Sequence, residues 1–336
     1  MSVTIKDVAK EANVSISTVS RVLRNQGYFS EDTKRKVLKA TKKLNYRVNT
    51  IGQSLRSKRT KVLGHVSIGG ALSPFQAEIV KGIDYKAYEE GYQVIVCNTG
   101  WDKKLEREQI DILLERRVDG IILTNPASKE NIEYLKDQKF PFVMVEDDFK
   151  VDGIDKVVID NKKLVYKAVN YLFEQGHRKV VFVGRLSTSG IAEDRIAGYK
   201  LAHKDNNFEL INDYILLGED FDVASGKSLI HDFFSRDNSG VTAIVVTTDI
   251  MLLGVMQALY YLDKKIPDDI SIMGLNDLLT PYLAPPVTSV AQPVMDMGKA
   301  AVELLLKRIE DPDMSSTIIN LGTCLVERDT VKSIIT

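Results

Sequence analysis

TIKDVAKEANVSISTVSRVLR, residues 4–24, reads as two short helices joined by a tight turn. Ile5, Val8, Ala9 and Ala12 recur at helical spacing, which gives the first helix one buried face. Asn13 stands where the turn needs a residue that tolerates a left-handed backbone. Ser15 follows as an N-cap, and Val14, Val19, Val22 and Leu23 form the inward stripe of the second helix. Ile16, Ser17, Ser20, Arg21 and Arg24 remain outside. A polar and basic face of this kind fits a DNA major groove, with the first helical turn against the base edges.

The charge distribution points the same way. Residues 1–61 hold 15 of the 45 Lys+Arg but only 4 of the 46 Asp+Glu, a net charge of +11 against −12 for the remainder. A basic head on an acidic body is the electrostatic footprint of a nucleic-acid-binding arm. At 336 residues the chain is too long for one core, so two or three domains are expected. No apolar run approaches the ~18 residues of a membrane span, and the N-terminus does not read as a signal peptide. A cytoplasmic, nucleoid-associated protein with no membrane partner is expected. Cys97 and Cys324 fit reduced thiols, and four scattered histidines argue against a metal cluster. No metal or cofactor is expected.

From Lys61 onward, short apolar strands alternate with amphipathic helices. The first strands are LGHVSI, YQVIVC, GIILTN and FVMVE, with helices over 76–90, 103–116 and 129–138. KVVID leads into a second series, KVVFVG, YILLG, AIVVTT and ISIMGL, with helices near 162–175, 191–206, 223–236 and 249–263. This alternation predicts two doubly wound parallel sheets. Ligands of such sheets bind beyond the carboxyl ends of the strands, so two facing lobes make a cleft there. The loops at those ends carry Ser73, Pro74, Phe75, Asn98, Trp101, Asn125, Glu146, Asp147 and Asp148 in the first half. Arg195, Phe221, Thr248, Asn276 and the acids Asp249 and Asp277 occupy the same places in the second, where both acids also suit helix caps. Carboxylates, amides and a guanidinium beside aromatic faces suit a polyhydroxylated ligand.

Enzymatic motifs do not hold up. ASGKS (224–228) resembles the end of a phosphate-binding loop, but Phe221 stands where that loop needs glycine. There is no G-x-S-x-G, no H-E-x-x-H and no credible Cys/His pair, so no catalytic residue is expected.

The opening stretch, followed by LNYRVNTIGQSLRS, VDGIIL, EQGHRKVVFVG, EDRIAGY, IPDDISIMGLND, APPVTSVAQPVMDMG and LVERDT, resembles the lactose/galactose repressor (LacI/GalR) family in order and spacing. The resemblance implies an all-α helix-turn-helix DNA-binding head at 1–47 and a hinge helix or linker at 48–60. It further implies an α/β periplasmic-binding-protein-like core of two doubly wound parallel-sheet lobes. The first lobe would comprise 61–160 and 292–318, the second 161–291 and 319–330. By the same resemblance the protein is a repressor of a sugar or sugar-acid utilisation operon. It would bind pseudo-palindromic operator DNA as a homodimer, under the control of a small sugar, sugar acid or sugar phosphate between the lobes. With no heptad tail after the last strand, a dimer is expected rather than a tetramer.

The implied DNA contacts are Ile16, Ser17 and Arg21 at base edges and Thr4, Ser15, Thr18, Ser20, Asn25 and Tyr28 along the backbone. Asn49 and Leu55 belong to the hinge, Leu55 as the minor-groove wedge. Val48 and Gly52 replace the family's usual Pro and Ala. Glycine in a helix costs roughly 1 kcal/mol, which predicts a hinge that leans harder on its DNA. The implied effector site is Ser73, Phe75, Trp101, Asn125, Glu146, Arg195, Phe221, Thr248 and Asn276. Arg195 matches the family's sugar-clamping arginine, whose planar fork grips two oxygens. Glu146, Thr248 and Asn276 depart from the usual Asp, Asn and Asp. The last change removes a negative charge, which admits an acidic or phosphorylated sugar. Two other readings remain: a catabolite-control regulator with a phosphorylated carrier protein as corepressor, and a transport protein of the same core fold. The basic head argues against the second.

Overall fold

The computed structural model describes residues 3–24, 27–46, 59–69, 73–146, 149–186, 190–236 and 240–335. Asn25, Val48, Asn49, Gly52, Leu55, Asp147 and Asp148 lie outside the described residues. The chain divides into two compact units, Met1–Thr60 and Lys61–Thr336.

In the first unit, α1 (Ile5–Ala12), α2 (Ile16–Arg24) and α3 (Glu31–Lys43) share one small core. Asp7 accepts hydrogen bonds from the Thr4 backbone N–H and hydroxyl, each at 2.8 Å, and so closes the start of α1. Asn13 ends that helix with φ 52°. Val8, Val19 and Val37, one from each helix, are fully buried. Helices this short are marginal alone, so this shared burial is what holds them.

In the second unit, β1 (Val62–Ser67), α4 (Pro74–Glu89), β2 (Gln93–Asn98), α5 (Lys103–Glu115), β3 (Gly120–Thr124), α6 (Lys129–Asp137), β4 (Phe142–Val145) and β5 (Asp155–Ile159) form the first lobe. The second lobe is built from α7 (Asn161–Glu174), β6 (Val180–Arg185), α8 (Gly190–Asp205), β7 (Ile215–Gly218), α9 (Val223–Phe234), β8 (Ala243–Val246), α10 (Asp249–Tyr261), β9 (Ser271–Gly274) and β10 (Thr288–Ala291). Then α11 (Val294–Glu310) and β11 (Ile318–Leu321) return to the first lobe, and β12 (Cys324–Val326) joins the second. The sheet orders are β11-β5-β4-β3-β1-β2 and β12-β10-β9-β8-β6-β7. The inner strands β3, β4, β8 and β9 are buried along their whole length, as strands with helices on both faces must be. No helix among the described residues is long and apolar enough to cross a membrane.

The structure has the two expected parallel-sheet lobes, moves one boundary, and adds one antiparallel edge strand and one helix. β11 pairs in parallel with β5 from Ile318 through Leu321, so residues 319–321 belong to the first lobe and the third crossing falls at 322–323 rather than 318. β12 is antiparallel to β10, so the second sheet is mixed. Direction explains both. β11 runs toward the cleft like its neighbours, and a strand that continues across the gap must run away from it on the other side. The long helix α11 was also absent from the expected helices.

Helices α4 and α11 cross closely at Gly82 and Gly298. A Cβ on Gly298 would lie 2.5 Å from the Ile79 carbonyl oxygen and 2.9 Å from the Ile83 nitrogen. Backbone atoms cannot rotate aside, so Gly298→Ala is predicted to cost about 1–3 kcal/mol of stability in urea unfolding. An unchanged midpoint would mean that the helices separate without penalty.

Candidate functional site

The outward face of α2 carries Ile16, 44% exposed, with Ser17 and Arg21 exposed and Thr18 and Ser20 half-buried. Ser15 caps the helix: its hydroxyl accepts from the Thr18 N–H at 3.1 Å and lies 2.7 Å from Ser17 Oγ. Arg21 Nε donates to the Ser17 carbonyl at 3.4 Å, which leaves the rest of the guanidinium outward. Thr4 is exposed at the start of α1, and Tyr28 is almost fully exposed beyond α2. Arg21 is the cationic member of this set.

A cavity of about 480 Å³ lies between the lobes of the second unit. Ser73, Phe75, Trp101, Asn125, Glu146, Arg195, Phe221, Thr248 and Asn276 all line it; Asn98 and Asp277 do not. Local structure explains the convergence. Ser73, Asp102, Ser128, Asp160, Asp222 and Thr248 each follow a strand and cap the next helix through a side-chain oxygen. Helix N-termini therefore gather at the carboxyl ends of the strands. Three cleft residues, Trp101 (φ 67°), Asn125 (φ 49°) and Glu146 (φ 65°), hold left-handed backbone, which is uncommon without glycine and clusters at functional sites.

A hydrogen-bond chain spans the cleft. Asn161 Nδ2 donates to Glu146 Oε2 at 3.0 Å, and Asn161 Oδ1 accepts from Arg195 Nε at 2.9 Å. Arg195 Nη1 donates to the Thr247 carbonyl at 3.3 Å. The neighbouring acids Glu193 and Asp194 lie against Lys150, at 3.9 and 3.3 Å. Asn161 was not among the expected site residues; its only signal is its place just past the strand KVVID, where the chain changes lobes.

At the mouth, Trp101 from the first lobe and Phe221 from the second stack at 6.5 Å between centroids, 24° from parallel. The Arg185 guanidinium lies 4.8 Å from the Trp101 ring and 4.7 Å from the Phe221 ring, while its Nε donates to the Glu219 carbonyl at 3.2 Å. Cation–π attraction thus links both lobes through one side chain. Sequence reading stopped the strand at Gly184 and passed over Arg185; a charge at the end of an apolar strand was the available signal.

The two acids read as possible caps do other work. Thr248, not Asp249, caps α10 by accepting from the Met251 N–H at 3.3 Å. Asp277 holds Arg328 at 2.6 and 2.9 Å and accepts from Thr280 and Ser289. Burial pushes its carboxyl up, but those hydrogen bonds outweigh burial and hold it below the usual range. Asp249 is 3% exposed, and neither of its oxygens has a well-formed hydrogen bond among the described residues. Burial pushes its carboxyl up to about 7, partly opposed by the Leu279 backbone and with a smaller addition from the charge of Asp277.

Known proteins share this arrangement. The profile of the bacterial regulatory proteins of the lacI family matches residues 4–49, and that of the periplasmic binding protein-like domain matches residues 169–331. The HTH-type transcriptional repressor PurR of Vibrio vulnificus (strain CMCP6) is 34% identical over 334 residues, covering 98% of this chain and 99% of its own length. The crystal structure of the lac repressor dimer bound to operator and the anti-inducer ONPF aligns with a TM-score of 0.83 at 25% identity, over 99% of this chain and 100% of that one. The complex of the transcriptional regulator CelR with cellobiose aligns with a TM-score of 0.74 at 26% identity, over 98% and 99% of the two chains.

Asp249 makes stability depend on pH. The unfolded chain loses this proton at about pH 4, whereas the folded chain keeps it to about pH 7. Between these values the folded state binds more protons, so its stability falls as pH rises. Asp249→Asn is predicted to remove that slope and to gain about 2–4 kcal/mol over the parent at pH 8, with little gain at pH 4. Urea unfolding at the two pH values checks this, and parallel curves would refute the assignment.

Proposed function

Because this chain belongs to the lacI family of bacterial regulatory proteins and is a DNA-binding transcriptional repressor, we propose that a small carbohydrate held between the core lobes sets its operator affinity. The observation that carries this reading is the meeting of Glu146, Asn161 and Arg195 in one hydrogen-bond chain across a cavity that Trp101 and Phe221 overhang. A sugar hydroxyl both donates and accepts. Glu146 takes its proton, the Arg195 fork meets its oxygens, and the apolar ring face lies on the aromatic side chains. The structurally similar CelR is in complex with cellobiose, which supports the same ligand class. Ser73, Phe75, Asn125, Thr248 and Asn276 complete the binding set.

On the DNA side, Ile16, Ser17 and Arg21 read base edges, with Arg21 suited to guanine. Thr4, Ser15, Thr18, Ser20 and Tyr28 hold phosphates and set register. Two copies present two such helices to a pseudo-palindrome, since symmetric dimers read symmetric half-sites. The ligand acts by binding one arrangement of the lobes more tightly than the other, and it shifts DNA affinity by no more than that difference.

Fluorescence anisotropy at fixed salt tests both halves. Arg21→Ala should lower the preference for operator over scrambled duplex by roughly 10- to 100-fold while keeping salt-sensitive binding. An unchanged preference would remove Arg21 from the base-reading set. With a panel of sugars, sugar acids and sugar phosphates, one compound should shift operator binding in the parent protein, and Arg195→Lys should weaken that response at least about tenfold. If no compound shifts binding, the carbohydrate reading fails and a phosphorylated carrier protein is next to be tried.

A further inference from the structure

Asn276 stands in the cleft wall of the second lobe with its amide turned in a defined direction. Gln292, on the connection from β10 to α11, donates from Nε2 to the Leu275 carbonyl at 2.7 Å and to Asn276 Oδ1 at 2.5 Å. A backbone carbonyl can only accept, so it fixes which end of the Gln292 amide points inward. That end is a donor, and it fixes Asn276 Oδ1 toward Gln292 in turn. Turning over either amide would set oxygen against oxygen or nitrogen against nitrogen. Asn276 is 7% exposed and lines the cavity, so its Nδ2 is the polar atom it offers there.

Thr248 and Arg195 on that wall share this polarity, while Asp222, exposed beside Phe221 at the mouth, is an acid engaged as an N-cap through Oδ1. The Thr248 oxygen accepts from the Met251 N–H, which leaves its hydroxyl proton to offer. The Arg195 guanidinium only donates. Asp249 lines the cavity too, but both of its oxygens are buried below the surface. A ligand hydroxyl that accepts from these donors must also reach an acceptor for its own proton, such as Glu146 on the other lobe. An oxygen without a proton takes the donors with no such debt.

We infer that the effector turns a proton-free acceptor oxygen, a carboxylate or a carbonyl, toward the second lobe, and that Gln292 is the positioning residue that makes Asn276 a donor there. This rests on the carbohydrate reading and narrows it to oxidised sugars, either sugar acids or lactones, over their parent sugars. An aspartate at 276 would replace the Asn276 donor with an acceptor.

The test is calorimetric titration of matched pairs into the full-length protein: glucose against glucuronate and gluconolactone, and galactose against galacturonate. The parent protein should bind at least one oxidised member about tenfold or more tighter than its parent sugar. The acid and lactone arms separate carboxylate from carbonyl. Asn276→Asp should bring that ratio to one or invert it, and Gln292→Met should narrow it. The ratio is the readout, because a general structural effect would move both affinities together. Equal binding of parent and oxidised sugars, or a ratio that survives Asn276→Asp, overturns the inference. A ratio that survives Gln292→Met overturns the positioning role. If no sugar binds, the carbohydrate reading fails, and side-chain amide NMR of the ligand-free protein decides the donor orientation by itself. Fast water exchange at the Asn276 amide with protection at Gln292 sustains it, and the opposite pattern overturns it.

Discussion

Asn161 is the first helical residue beyond the first passage between lobes, and its amide is shared between them. Its nitrogen donates to Glu146 on one side and its oxygen accepts from Arg195 on the other. That link depends on how the chain crosses. β5, β10 and β11 all run toward the cleft, so each crossing, at 160, 292–293 and 322–323, falls at the carboxyl ends of strands. The connections are one or two residues long, which ties the lobes along one side of the cleft. The same geometry sends α7, α11 and β12 away from the cleft after each crossing, and makes β12 antiparallel to its neighbour.

Two contacts of different physics join the lobes, one beside the crossing at 160 and one at the mouth. Hydrogen bonds to charged groups, as at Glu146 and Arg195, are worth roughly 1.5–3 kcal/mol each. The cation–π contacts of Arg185 with Trp101 and Phe221 are worth about 0.5–2 kcal/mol. Their sum is modest, within reach of the differential affinity that one small ligand can supply. A cleft held by a large apolar interface would not respond to so small an input. Polar links that a ligand can replace one for one make the arrangement of the lobes sensitive to what fills the cavity.

Much of this was legible in the residues. The helix-turn-helix follows from the spacing of Val8, Val19 and Val22 and from Asn13 at the turn. The rule that loops at the carboxyl ends of parallel strands line the cleft reached all nine expected cavity residues, together with Asn98 and Asp277, which do not line the cavity. The rule finds positions and not partners, which is why Asn161, Arg185 and Gln292 were passed over. α11 shows a further limit: Val294, Met297, Ala301, Leu304 and Leu305 recur at helical spacing, yet periodicity cannot say which lobe they cover. The boundary at 318 failed for a related reason, since nothing within INL distinguishes pairing with β5 from pairing with β10.

By itself the sequence determined what is local: strand and helix periods, caps, the turn at Asn13, and the separation of a basic head from an acidic body. These depend on residues a few positions apart, where the backbone fixes geometry. Only the tertiary structure decided which amide faces Glu146, which way Asn276 turns, and that Asp249 has no cap to make. Those outcomes join residues far apart in the chain, and a hydrogen bond exists or fails over a few tenths of an ångström. No pattern along the chain carries that distance.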